Sequence, residues 1–80
     1  MIERMINVLS SLEARPAALF VQTASKYSSH IYVEVDNKKM NGKSIMGMIS
    51  LSILEGQTVK LIADGADEQL AINELETFFK

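Results

Sequence analysis

The chain has no cysteine, one proline, four glycines and a single histidine. Without cysteine, disulfides and thiolate metal sites are excluded, which fits a reducing compartment and makes a cytoplasmic location the expectation. No stretch approaches the ~18 consecutive apolar residues of a membrane span, and Met1-Ile2-Glu3-Arg4 does not read as a signal peptide, because no basic region leads into an apolar run. Neither sign of charge is in excess: eight basic and ten acidic residues are scattered along the chain, for a net −2. The only basic cluster, Lys38, Lys39 and Lys43, has no aromatic interleaved, so a solvated hairpin accounts for it and no direct nucleic-acid contact is expected. No carboxylate or histidine cluster suggests a metal, and no cofactor is implied.

What is present describes one domain over residues 1–80. A chain of this size buries only roughly 60% of its unfolded surface, so two layers around one core are the limit. Met1 to Val8 reads as a strand, with Ile2, Ile6 and Val8 on one parity and Arg4 the only break in it. Ser10 and Ser11 form a loop. Leu12 to Ala17 opens a helix, where Pro16 is harmless because first-turn amides have no helical partner. Ala17, Phe20, Val21 and Ala24 then recur at i, i+3, i+4 and i+7, a stripe for packing on a sheet. His30 to Val35 alternates, with Ile31, Val33 and Val35 to one side and Tyr32 and Glu34 to the other. Asp36-Asn37-Lys38 turns the chain into a short strand, Lys39 to Asn41. Thr58 to Ala63 is a further alternating strand. Asp64-Gly65 turns, Asp67 is placed to cap, and a last helix runs to the end with Ala71, Ile72, Leu75, Phe78 and Phe79 on its apolar face. The order β-α-β-β-α-β-α predicts an α+β open-faced two-layer sandwich: a four-stranded antiparallel sheet covered on one face by three helices.

The helix expected from Ser44 to about Leu54-Glu55-Gly56 is unusual. Ser44 can accept a hydrogen bond from a first-turn amide, and Gly42 and Lys43 lead the chain into it. At 3.6 residues per turn Met48 and Leu51 share one side, while Ile45, Met46 and Ile49 fall on another. Two arrangements are open: a helix buried all round, or one apolar face packed on the sheet and the other left for a partner.

Two motifs, Ala14-Arg15-Pro16-Ala17 after the first strand and Lys43-Ser44-Ile45-Met46-Gly47 at the head of the second helix, resemble those of HPr, the histidine-containing phosphocarrier family of the bacterial sugar phosphotransferase system. The likeness extends over nearly the whole chain, including Leu61-Ile62-Ala63 and Asp67-Glu68-Gln69. Phosphocarriers place their phosphoryl-accepting histidine immediately before Ala-Arg-Pro, where this chain has Glu13. His30 begins a strand elsewhere and is no substitute, so histidine phosphotransfer is not expected and no residue is assigned as catalytic. The chain is most similar to the Crh branch, the catabolite-repression HPr proteins of bacilli, which also lack the histidine, carry glutamine there, and keep the serine.

The resemblance implies a regulatory phosphoprotein and not an enzyme. Ser44 is then the residue modified by HPr kinase/phosphorylase, and the phosphorylated form is the corepressor of catabolite control protein A, a LacI-type transcription factor. Arg15, Ala18, Gln22, Ile45, Met46 and Ile49 are the partner-binding residues it implies. Arg15 could instead bridge Glu13. A strand-swapped homodimer hinged at Ser10-Ser11 also follows from the resemblance, although nothing in the sequence itself forces monomer or dimer. Ser11 stands where the family commonly has glycine, which leaves open whether the loop needs a positive φ. Two other functions compete: a phosphocarrier using Glu13 as an acyl-phosphate acceptor, and an unphosphorylated structural or interaction module. Glu13 could also imitate a phosphorylated histidine.

Overall fold

Alternating apolar residues build the sheet in the computed structural model, which describes residues 1–80. The chain runs β1 (Ile2–Asn7), α1 (Ala14–Ser25), β2 (His30–Val35), β3 (Lys38–Asn41), α2 (Ile45–Ser50), β4 (Thr58–Asp64) and α3 (Glu68–Glu76), closing with a 3₁₀ turn, Thr77–Phe79. The four strands lie in the order β1-β4-β2-β3, antiparallel throughout. Register keeps each apolar set on one face: Ile6 sits opposite Val59, and Val33 opposite both Leu61 and Met40. The β2–β3 hairpin turns on two residues, Asp36 (φ 50°) and Asn37 (φ 69°), the pair of left-handed residues that a tight hairpin requires.

One face of this sheet carries the helices. Nineteen buried residues form a single cluster joining the inner parity of the strands to Ala17, Phe20 and Ala24 of α1, Met48 of α2 and Ala71, Ile72 and Leu75 of α3. Phe20 is its centre, with ring centroids 5.5 Å from Phe78 and 5.6 Å from Phe79. The other face is mostly polar, with Met5 and Ile62 its aliphatic exceptions: Lys60 lies 3.9 Å from Glu3 and 4.0 Å from Glu34, and Lys39 sits 4.8 Å above the Tyr32 ring. No helix is long and apolar enough to cross a membrane.

Several local expectations are revised. Arg4, which breaks the inner parity of β1, reaches α3 and donates to Glu76 at 2.6 Å and Asn73 at 3.2 Å. That bond, with a second from Lys80, holds the Glu76 carboxyl below its ordinary pKa. Asp67 does not cap α3. Its carboxylate accepts from the Ser29 hydroxyl and from the amides of Ser28 (2.9 Å) and Ser29 (3.0 Å), which lowers its pKa to about 2, while Glu68 accepts from Gly65 N–H at the helix start. The lysine cluster is also dispersed: Lys43 Nζ leaves the hairpin and donates to the Tyr27 carbonyl at 2.7 Å.

The helix at Ser44 is shorter than its composition suggests. It ends at Ser50 instead of running to Leu54-Glu55-Gly56, because Ser52 takes a left-handed φ of 50° and turns Ile53 into the core. Gly42 brings the chain into it. A Cβ there would stand 2.6 Å from Ile31 Cγ2, so only glycine permits this approach to β2.

Candidate functional site

Ser44 occupies the N-cap of α2, and its Oγ accepts from the Gly47 amide at 3.1 Å. This satisfies one of the amide donors that the first turn leaves without helical partners. Beyond it the helix divides as the wheel suggests. Met48 and the following Leu51 are buried, whereas Met46 is 74% exposed, Ile49 47% and Ile45 36%. Of the two arrangements left open by the sequence, the structure shows the one with an uncovered apolar face.

α1 packs beside α2. Of its residues singled out by sequence, Ala18 is half-buried and Gln22 exposed, and Leu19, not singled out, adds 49% exposure. Glu13 is the N-cap of α1, but its carboxylate caps nothing: the first bond there runs from Ala17 N–H to the Glu13 backbone carbonyl at 2.8 Å. Arg15 is exposed and forms no ion pair, with Glu13 or any other residue.

The loop after β1 and the segment after α2 are laced together. Leu12 N–H donates to the Ile53 carbonyl at 3.0 Å, Glu55 N–H to Ser11 Oγ at 2.9 Å, and Gly56 N–H to the Val8 carbonyl at 2.9 Å. Ser11 stays outside the left-handed region, so the loop forms without a glycine, and its hydroxyl serves as an acceptor. The lacing leaves a cleft of about 210 Å³ between Glu13-Ala14 on one side and Ile49 and Leu54 on the other, with Leu12 and Ile53 beneath. Sequence reasoning did not find Leu54 or this cleft. The one available signal was the apolar excess of Ile49-Ser50-Leu51-Ser52-Ile53-Leu54, which the helical reading absorbed. Among the residues present, no group of acidic or histidine side chains is arranged to hold a metal ion.

The open apolar face of α2 therefore starts at the Ser44 hydroxyl, where Lys43 reaches the Tyr27 carbonyl past the C-terminal end of α1, and ends at Ile49, which faces the unpaired Glu13-Ala14 end of α1 across the cleft. The family model described as "PTS HPr component phosphorylation site" matches residues 3–80. The chain belongs to the HPr family. It is 49% identical to the HPr-like protein Crh of Halalkalibacterium halodurans, over 100% of this chain and 98% of that protein. It superposes on the crystal structure of HPr-C-His from Thermoanaerobacter tengcongensis with TM-score 0.91 and 56% identity, covering 99% of this chain and 91% of that one. Crh of Bacillus subtilis, solved as an intertwined dimer with a swapping domain, matches with TM-score 0.79 and 47% identity over 92% and 85% of the two chains. Members of the HPr family are phosphocarrier and HPr-like proteins, not enzymes, and this chain is a Crh-like member of it.

Proposed function

We propose that this HPr-family chain is a cytoplasmic regulatory phosphoprotein of carbon catabolite repression. Ser44 is phosphorylated by HPr kinase/phosphorylase, and the product is the corepressor of catabolite control protein A. The observation that carries this reading is the hydroxyl of Ser44 at the head of a helix whose next residues, Ile45, Met46 and Ile49, have no cover. Glu13 before Ala14-Arg15-Pro16 supports a role without histidine phosphotransfer, since a carboxylate there lacks the imidazole nitrogen that carries a phosphoryl group.

Phosphorylation acts through surface charge. It adds roughly −1.5 to −2 charges at the first turn of α2, where the amides of Ile45 and Met46 have no helical partner. The helix stays in place because Met48 and Leu51 anchor it from below. A docking partner then meets an anion beside an apolar patch, with Arg15, Ala18 and Gln22 of α1 alongside. Methionine suits a patch that must fit both a kinase and a repressor.

Incubation with the kinase and ATP should place one phosphate on Ser44 by mass spectrometry, and the product should bind the repressor far more tightly than the unmodified chain. Equal binding by Ser44→Ala after the same treatment defeats the proposal. Labelling of Glu13 by phosphoenolpyruvate and the first enzyme of the phosphotransferase system would favour the acyl-phosphate carrier instead.

A further inference from the structure

The cleft beside Glu13 has a shape and a charge that specify what enters it. Its volume of about 210 Å³ is below the roughly 300–1,000 Å³ of pockets that enclose small-molecule ligands, so it suits a protruding protein side chain better than a free metabolite. Its floor and walls are apolar: Leu12 and Ile53 are buried beneath, and the rims are Ile49 and Leu54, the latter 55% exposed. Its backbone is fixed on both sides by the Leu12 to Ile53 and Glu55 to Ser11 hydrogen bonds, and by the left-handed turn at Ser52.

Glu13 is the one charged residue lining this cleft. It is exposed, its carboxylate neither caps α1 nor joins any ion pair, and so it is open to an incoming group. Arg15 does not neutralise it, since residues two apart on a helix lie on different sides. A carboxylate free of partners at the mouth of an apolar cleft is complementary to a cation carried next to an apolar side chain.

We propose that the cleft receives a leucine- or phenylalanine-sized side chain of a partner protein, and that Glu13 pairs with an arginine or lysine adjacent to it on the same partner. This rests on the reading above for the identity of the partner, but it assigns a contact separate from the phosphoserine. It also gives Glu13 a positive role: it selects for basic partner segments and against acidic ones.

The test is calorimetric titration of catabolite control protein A with the full chain, phosphorylated and unphosphorylated, in four forms: unchanged, Glu13→Gln, Glu13→Lys and Leu54→Ala. Both positions are exposed, and circular-dichroism melts establish that the variants fold. Glu13→Gln is expected to weaken binding about 5-fold and Glu13→Lys more than about 10-fold, with both losses shrinking at high salt. Leu54→Ala is expected to cost about 10-fold irrespective of salt. Full affinity in Glu13→Gln and Leu54→Ala, with phosphorylation still required, overturns the cleft contact and leaves the phosphoserine reading standing. Losses in these variants without any dependence on phosphorylation do the reverse. No binding by any form overturns both.

Discussion

The two ends of α1 are held in opposite ways. At its C-terminal end the following residues are tied to three other parts of the chain: Lys43 Nζ donates to the Tyr27 carbonyl, the Tyr27 hydroxyl donates to Glu74, and the Ser28 and Ser29 amides and the Ser29 hydroxyl donate to Asp67. The bond to Glu74 also raises the Tyr27 pKa. At its N-terminal end Glu13 and Arg15 extend into solvent with no partner, and Glu13 lies across the cleft from the exposed Ile49 and Leu54. The difference teaches how an 80-residue protein presents a surface. Order is concentrated where α1 meets β2 and α3, so the other end can expose apolar and charged groups without unravelling.

The strongest way to break this comparison is to show that tightly packed and open positions contribute alike to stability. Phe20, fully buried against Phe78 and Phe79, should lose about 3–5 kcal/mol as Phe20→Ala, whereas Met46→Ala on the open face of α2 should stay within about 0.5 kcal/mol. Urea unfolding of the two variants measures both. A Met46→Ala loss near that of Phe20→Ala would mean that the exposed face is covered in solution, by a second copy or by a rearranged α2.

A smaller effect sharpens the anchored end. Asp67 has its pKa lowered from 3.8 to about 2 by the Ser29 hydroxyl and the two amides. The folded value is the lower one, so these bonds contribute stability that is fully present above the ordinary carboxylate range. That contribution is lost as the pH falls through the interval between the two values. Urea unfolding from about pH 5 down to about pH 2 should show a shallower acid-side decline in Asp67→Asn than in the unchanged chain. Parallel declines would remove Asp67 as the clasp between the α1–β2 turn and α3.

Much of this division was legible in the sequence, and the illegible parts share a physical cause. Strand parity placed Ile31, Val33 and Val35 inward, and the wheel separated Met48 and Leu51 from Ile45, Met46 and Ile49, because these follow from local periodicity alone. Asp67 looked like a helix cap because caps are judged from neighbours in sequence. Its real partners, Ser28 and Ser29, are 39 and 38 residues away. The overrun of α2 has the same origin: Ser50 to Leu54 keeps an apolar character that suits helix, and only the burial of Ile53 against the loop at Leu12 makes the chain turn at Ser52. The cleft needs two segments some forty residues apart to meet, and no window along the chain contains it.

The smallest predicted effect separates the two tasks given to Ser44. As an N-cap its Oγ satisfies the Gly47 amide, so Ser44→Ala should cost about 1 kcal/mol even in the absence of any kinase. α2 has only six residues, yet it should persist in that variant, because Met48 and Leu51 fix it to the core through burial and not through the cap. Ser44→Asp keeps an oxygen acceptor at the same position and should recover most of the loss in urea unfolding. It adds a single negative charge and lacks the three acceptor oxygens of a phosphate, so it should recruit the repressor only weakly. Recovery of stability without recovery of recruitment would assign the cap to the fold and the phosphate to recognition. Loss of both in Ser44→Asp would mean that the open face of α2 is organised by the serine itself, and the contrast between packed and open surfaces would fail at the residue on which it turns.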